Sequence, residues 1–364
     1  MTAPADEPRV DAWPGAEEVL FVCGYDEVRA ALGESRLMVH KPLTGDAAAM
    51  PSAGQRSRSM APLSAVLSEY LAAREVESLA ADVRAMTDEF AKNLLREGQG
   101  EAIEGLTSPL PLTIMARLLG LRNAPAGMLR PLFDRITGGH DIGATLVKQQ
   151  QGRMALQMLV GWLDDALKAS GEPSTLMESI RATAETKQLD RATVLYWCAM
   201  LLYAGSTTTR DFIGNMLAAL VSRQDLVQTL LREPGSLDSA IEEFLRLEGP
   251  VRGLMRAATE DVPLGRQTAR QGQLVCLVLI EANRDPARFV APQQWDLHRS
   301  PNPHLALGAN VTYCLGSHLA RMEARSVLAG LLPVLPHLRS DEGAVWGTSR
   351  LLRGRTRLRL NWQG

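Results

Sequence analysis

Three short segments carry residues whose types and spacing could do chemistry. The first is HLALGANVTYCLGSHLARMEA, residues 304–324. Its cysteine, Cys314, ends an irregular glycine-bearing loop and opens a helical pattern. A helix N-terminus presents free N–H groups, and these stabilise a thiolate. Gly316, two residues on, is where a large flat group could approach the backbone. Without that context Cys314 is simply a buried free cysteine, the common fate of a lone cysteine. Cys23, Cys198 and Cys276 lie in apolar runs and are read that way. The second segment is Glu243-Phe244-Leu245-Arg246, with Glu and Arg three residues apart on one helix face. Taken alone it is an ordinary surface ion pair. The third is Ala204-Gly205-Ser206-Thr207-Thr208-Thr209. Threonine hydroxyls can bond back to carbonyls one turn earlier and bend a helix. Such a bend could open a pocket for a small ligand such as O2, and the alternative is a packing notch made by small residues.

The elements that must position these segments are mostly helical. The residues after Leu189-Asp190 are apolar to about Val221, and Asp190 offers an N-cap. About 30 residues at 1.5 Å each give a helix of roughly 45 Å. It is apolar nearly all round, which predicts a central, buried helix. Leu63 to Glu97 reads as helix with an interruption near Ala72. Residues 101–122, 145–169 and 238–247 read as further helices, and a last one starts near Cys314 and runs to Leu332. Val19–Cys23 and Leu274–Ile280 are strand candidates. Residues 37–62 read as a loop, and 283–313 as a long irregular stretch of the kind that is usually functional.

Composition narrows the class. The 364 residues are 46% hydrophobic, and 39 Lys+Arg against 41 Asp+Glu leave a formal charge of −2. That balance argues against a general nucleic-acid or anionic-membrane binder. The four cysteines lie far apart without a C-x-x-C pair, which argues against structural zinc and a disulfide framework. The acidic, proline-bearing lead is not a signal peptide, and the apolar run Val194–Gly205 is too short to span a bilayer. The expectation is an intracellular, cytoplasmic protein, monomeric by default. It has an extended lead (1–18) and one large α-rich domain (19–364) with small β-sheets.

Together, in this order and spacing, the three segments resemble the cytochrome P-450 superfamily of haem-thiolate enzymes, in its bacterial branch. The resemblance runs from Gly24-Tyr25-Asp26-Glu27-Val28-Arg29 to Arg353-Gly354, and takes in ANRDPARF (282–289) and PNPHLALG (301–308). It implies the cytochrome P-450 fold with a shortened N-terminus. It further implies haem b with Cys314 as axial thiolate, pushing electron density that favours O–O cleavage. Carried over, Leu307, Gly308, Gly316 and Ala320 fall in the cofactor-binding segment. Arg256 matches an arginine that reaches a haem propionate, and Glu243 with Arg246 a structural pair behind the haem. Thr208 matches the alcohol that helps deliver protons at the oxygen site, with Ala204 and Gly205 the small residues beside it. The implied activity is oxidation of an organic specialised metabolite with O2 and electrons from a ferredoxin and ferredoxin reductase.

Several positions depart from the family pattern. Thr207 stands where an Asp or Glu usually assists proton delivery. Met60 and Ser64 stand where a His-x-x-x-Arg pair usually holds propionates, with Arg56 and Arg58 upstream as substitutes. Thr312 replaces a propionate histidine, Leu307 a phenylalanine, and Asn310 a glycine that Asn can replace in left-handed backbone. The arginine that completes the Glu/Arg cluster is expected at Gln294. The missing carboxylate motivates an alternative: peroxygenase, dehydration, cyclisation or oxidative coupling chemistry. The eroded propionate set motivates another, a non-catalytic accessory protein for a glycosyltransferase, against which Cys314 argues. Substrate contacts are expected around residues 37–62, 135–150 and 251–256, with Leu254 and Met255 as lining residues. Arg321 and Arg325 are read as solvated helix arginines, or as docking groups for an acidic partner.

Overall fold

The computed structural model describes residues 18–39, 63–121, 124–169, 174–340 and 344–363. The helices are α1 (Tyr25–Leu32), α2 (63–70), α3 (Ala73–Glu77), α4 (Ala80–Glu97), α5 (Pro109–Leu118), α6 (Ala126–His140), α7 (Leu146–Ala169), α8 (Thr175–Thr186), α9 (Arg191–Ser222), α10 (Gln224–Arg232), α11 (Leu237–Glu248), α12 (Leu279–Ala282) and α13 (Ser317–Leu331). Asp190 caps α9, its carboxylate accepting from Thr193 N at 2.8 Å, which leaves one fewer orphan N–H at the helix start. The 32 residues of α9 run unbroken through the threonine segment. Helices α5, α7, α11 and α13 pack around it. Phe212, Ile213, Met216 and Leu217 are all within 2% of full burial, each such side chain contributing about 1.5–3 kcal/mol.

The strands are β1 (Val19–Val22), β2 (Leu37–Val39), β3 (Gln99–Glu101), β4 (Gly253–Ala258), β5 (Val262–Leu264), β6 (Gln267–Ala269), β7 (Leu274–Val278), β8 (Leu338–Arg339), β9 (Ala344–Trp346) and β10 (Arg355–Trp362). One sheet has the order β1-β7-β4-β2, with β1 parallel to β7 and the other pairs antiparallel. Side chains alternate across a strand, so Leu254 and Arg256 share one face of β4. Met255 faces the other, buried with Cys276 and Val278. The N-terminal elements are tied to the long irregular stretch: Tyr25 N donates to Asp285 Oδ2 at 2.8 Å, and Tyr25 OH to Pro303 O at 2.6 Å.

Several expectations need correction. The last helix begins at Ser317, three residues after Cys314. The Leu274–Ile280 strand ends at Val278, where α12 takes over. Residues 135–150, expected to supply substrate contacts from a loop, are largely the end of α6 and the start of α7, two helices that pack closely on each other. Cys23 is exposed, since β1 stops one residue before it. Of the stretch 37–62 expected as a loop, Leu37–Val39 is strand β2, paired with β4; residues 40–62, with Arg56, Arg58 and Met60, and the lead through residue 17 lie outside the described residues. Among the described residues no helix is long and apolar enough to cross a membrane.

Candidate active site

An apolar cavity of about 360 Å³ lies between α9 and the loop that carries Cys314. Ala204, Gly205, Thr208 and Thr209 form one wall, and Leu307, Gly308, Cys314, Gly316 and Ala320 the opposite one. Thus the cysteine and threonine segments, more than a hundred residues apart, meet at one site. Leu254 and Val251 also line it, whereas Met255 does not, because it points to the opposite face of β4.

The cysteine loop is held by its own backbone. Cys314 N donates to Leu307 O at 2.8 Å, and Gly308 N to Leu305 O at 2.9 Å. Leu305 N in turn donates to Asn283 Oδ1 at 2.7 Å. Gly308 has φ +76, and a Cβ there would lie 2.5 Å from Thr312 O. Asn310 adopts φ +53, the left-handed conformation that asparagine tolerates. Thr312 donates its hydroxyl to Ala309 O at 2.7 Å, so it closes the loop rather than reaching into the cavity as a donor. Cys314 is exposed to the cavity rather than buried as a lone cysteine commonly is, and desolvation by the surrounding protein raises its thiol above the ordinary value, opposed by the Gly316 N–H and by Arg321. The free N–H expected of a helix start is therefore present at Gly316, but it is outweighed by desolvation. A coordinated metal cation deprotonates such a thiol outright.

Behind the loop, Glu243 and Arg246 are completely buried and form a two-point contact, Nε–Oε2 2.8 Å and Nη2–Oε1 2.7 Å. This is no surface pair. The completing arginine is Arg299, whose Nε lies 3.1 Å from Glu243 Oε2. Gln294 contributes only its carbonyl, 3.2 Å from Arg246 Nη2. The irregular stretch gives no periodicity from which to place an arginine five residues further on. Asp296 N at 3.0 Å and Asn302 Nδ2 at 3.1 Å complete the shell around Glu243. The cluster thereby fastens α11 to the chain just ahead of the cysteine loop.

On α9, Thr208 donates its hydroxyl to Ala204 O at 2.8 Å, the back-bond expected of a helical threonine. Thr207 and Ser206 are buried, and their hydroxyls have no partner among the described residues. Gly205 faces Met115, whose Sδ would be 2.7 Å from an added Cβ. Arg256 is 5% exposed and, among the described residues, donates to Met255 O, 3.0 Å away. Burial lowers its pKa. Arg321 is held by Glu242 (2.6 and 2.8 Å) and by Tyr313, and Arg325 pairs at the surface with Asp238.

A sequence profile of the family described as cytochrome P-450 matches residues 164–334. The cytochrome P-450 monooxygenase PikC of Streptomyces venezuelae is 30% identical over 96% of this chain and 86% of its own. The chain belongs to the cytochrome P-450 family. The mycinamicin IV hydroxylase/epoxidase of Micromonospora griseorubida is 29% identical over 96% of this chain and 91% of that protein. The tirandamycin C-bound cytochrome P-450 monooxygenase TamI superposes with TM-score 0.80 at 26% identity, over 95% of this chain and 90% of that one. As a cytochrome P-450 the protein is an oxidoreductase of the monooxygenase type, from a family that binds haem through a cysteine thiolate.

The residues present fit that group. The cavity offers a thiol on one wall and a predominantly apolar lining. Gly316 presents open space, since a Cβ there would find nothing nearer than Cys314 Sγ at 4.0 Å. Arg256 does not itself line the cavity; on the Leu254 face of β4 it is a buried cation with no carboxylate partner among the described residues. Such a charge is costly unless an anion joins it.

Proposed function

We propose that this cytochrome P-450 is a haem b monooxygenase that oxidises an apolar specialised metabolite, using O2 and electrons from a ferredoxin-type partner. The observation that carries the reading is the placement of Cys314 across one apolar cavity from Thr208. Cys314 would hold the iron, Arg256 a propionate, and Gly308, Gly316, Leu307 and Ala320 the faces and edge of the macrocycle. Haem bound there supplies a redox-active iron at which dioxygen is activated.

The chain's own residues do the rest. Glu243, Arg246 and Arg299 fix the chain that leads into the cysteine loop, so that the sulfur is presented in one place. Leu254, Val251, Leu201 and Phe212 line the cavity, where they would orient an apolar substrate and exclude water. Thr208, with Ala204 and Gly205 beside it, would hold a proton at Oγ1 on the α9 wall. The mycinamicin- and tirandamycin-related names of two relatives support a substrate of natural-product size and polarity. The absence of a carboxylate at Thr207 favours a second reading, in which peroxide replaces O2 and reductant.

The deciding experiment supplies the purified protein with a surrogate ferredoxin, its reductase and ¹⁸O2, against a panel of natural products that includes mycinamicin IV and tirandamycin C. Products carrying ¹⁸O that require reductant support the monooxygenase. Turnover with peroxide alone, indifferent to reductant, rejects it in favour of the second reading.

A further inference from the structure

Beside Glu243 on α11 stands a second glutamate, and it anchors a different cluster. Glu242 takes Arg321 of α13 in a two-point contact, Nε–Oε1 2.6 Å and Nη2–Oε2 2.8 Å. The same carboxylate lies 3.0 Å from His304 Nε2, at the start of the cysteine loop. Arg321 Nη1 donates to Tyr313 OH at 3.0 Å, on the residue just before Cys314. One glutamate thus joins α11, α13 and both ends of the segment 304–313.

The positive member of the pair is the one that touches the chain flanking the sulfur. Arg321 is one turn beyond Ser317 on α13, and helical side chains lean toward the N-terminus. Its Nη1 reaches Ser317 O at 3.5 Å, and Ser317 N donates to Cys314 O at 3.2 Å. The Arg321 and Glu242 side chains are 27% and 29% exposed, so water screens them only in part. Desolvation would raise the Glu242 carboxyl, but hydrogen bonds from Arg321 and His304 bring it down to about 2, and it is ionised at neutral pH. Against desolvation, the charge of Arg321 is one of two influences that lower the Cys314 thiol. Neither Arg321 nor Glu242 lines the apolar cavity. An electron added at a metal on Cys314 makes the site more negative, which a nearby cation favours and a nearby anion opposes.

We propose that Arg321 and Glu242 set how readily an iron bound to Cys314 accepts an electron, Arg321 favouring reduction and Glu242 restraining it. The inference rests on the haem reading of the apolar cavity. The step is a one-electron transfer: the ferredoxin-type partner is oxidised and the ferric iron reduced, with no bond made or broken. Both residues act through Cys314, so they are positioning residues. Their surroundings toward solvent are Glu77, Asp238, His318 and Arg325, which line an open groove beside them.

The test is a spectroelectrochemical titration of the haem-loaded protein, after the ferrous–CO band of each variant has been recorded. At a fixed applied potential Arg321→Gln should lower the ratio of reduced to oxidised haem by about threefold or more, and Glu242→Gln should raise it by a similar factor. A tenfold change corresponds to about 59 mV for one electron. Opposite signs separate charge from bracing, since either substitution breaks the same two-point contact. Arg321→Lys keeps the charge without the fork, and it should lie nearer the wild type than Arg321→Gln does. Arg325→Gln removes an exposed pair with Asp238 one turn further along α13, and it should match the wild type. Shifts of one sign in Arg321→Gln and Glu242→Gln, or no shift in either, would overturn the proposal. So would coincident potentials for Arg321→Lys and Arg321→Gln, and these two decide alone if Glu242→Gln does not retain haem. A wild-type protein without the red-shifted ferrous–CO band would count against the haem reading instead, and remove the proposal with it.

Discussion

Replacing Glu243 by glutamine should be the most damaging near-isosteric change outside the cavity. Glu243 has no exposed side-chain surface and faces Arg246, equally buried, together with Arg299 at 9% side-chain exposure. Its two oxygens accept from Arg246 at 2.7 and 2.8 Å, Arg299 at 3.1 Å, Asp296 N at 3.0 Å and Asn302 at 3.1 Å. Glutamine keeps the shape, but it leaves two guanidinium charges without a counter-charge and turns one acceptor into a donor. Breaking a buried pair from one side costs about 3–5 kcal/mol. Whole domains are stable by only about 5–15 kcal/mol. With a urea dependence of about 3 kcal/mol per molar, the unfolding midpoint should fall by about 1 M or more. Far-ultraviolet circular dichroism across a urea series measures this, with haem retention read in parallel. Arg325→Ala is the internal comparison: its exposed pair with Asp238 is worth at most about 1 kcal/mol. A Glu243→Gln midpoint within about 0.2 M of wild type, equivalent to roughly half a kcal/mol, would refute the reasoning.

Three further outcomes follow from single residues. Glu323 on α13 is fully buried, its Oε2 has no partner among the described residues, and burial pushes its carboxyl up to about 8. A raised acid binds its proton more tightly when folded, so stability should fall as pH rises from the ordinary value of about 4.5 toward 8; Glu323→Gln should flatten that slope in urea midpoints, and an unchanged slope contradicts it. Gly308→Ala forces a side chain into left-handed backbone and against Thr312 O, so it should cost about 1–2 kcal/mol or more and release haem. Unaltered denaturation and haem content would count against that account of the loop. Arg256→Leu should remove a charge-assisted contact of about 1.5–3 kcal/mol, speeding haem loss to apomyoglobin by about ten- to a hundredfold. Equal transfer rates would remove Arg256 from the cofactor site.

What could be read in the sequence tracks where chemistry and periodicity coincide. The long buried helix, its Asp190 cap and the Thr208 back-bond follow from local rules, and the structure has each of them. The cysteine loop was legible because glycines, a lone cysteine and a following amphipathic run occur together. Arg299 was not, because no period runs through residues 283–313 and the side chain earns its place only in three dimensions. The end of α6 was not legible either, since Pro131, Gly138 and Gly139 are poor helix formers and the helix is held by packing on α7.

The central claim is that Cys314 is the thiolate of a haem iron, and it is tested most directly by the spectrum of the dithionite-reduced protein under carbon monoxide. The account predicts the red-shifted Soret band of a thiolate-ligated complex in the wild type and its replacement by a histidine-type band in Cys314→His. A wild-type protein that binds haem without the red-shifted band, or a Cys314→His variant that keeps it, would contradict the claim.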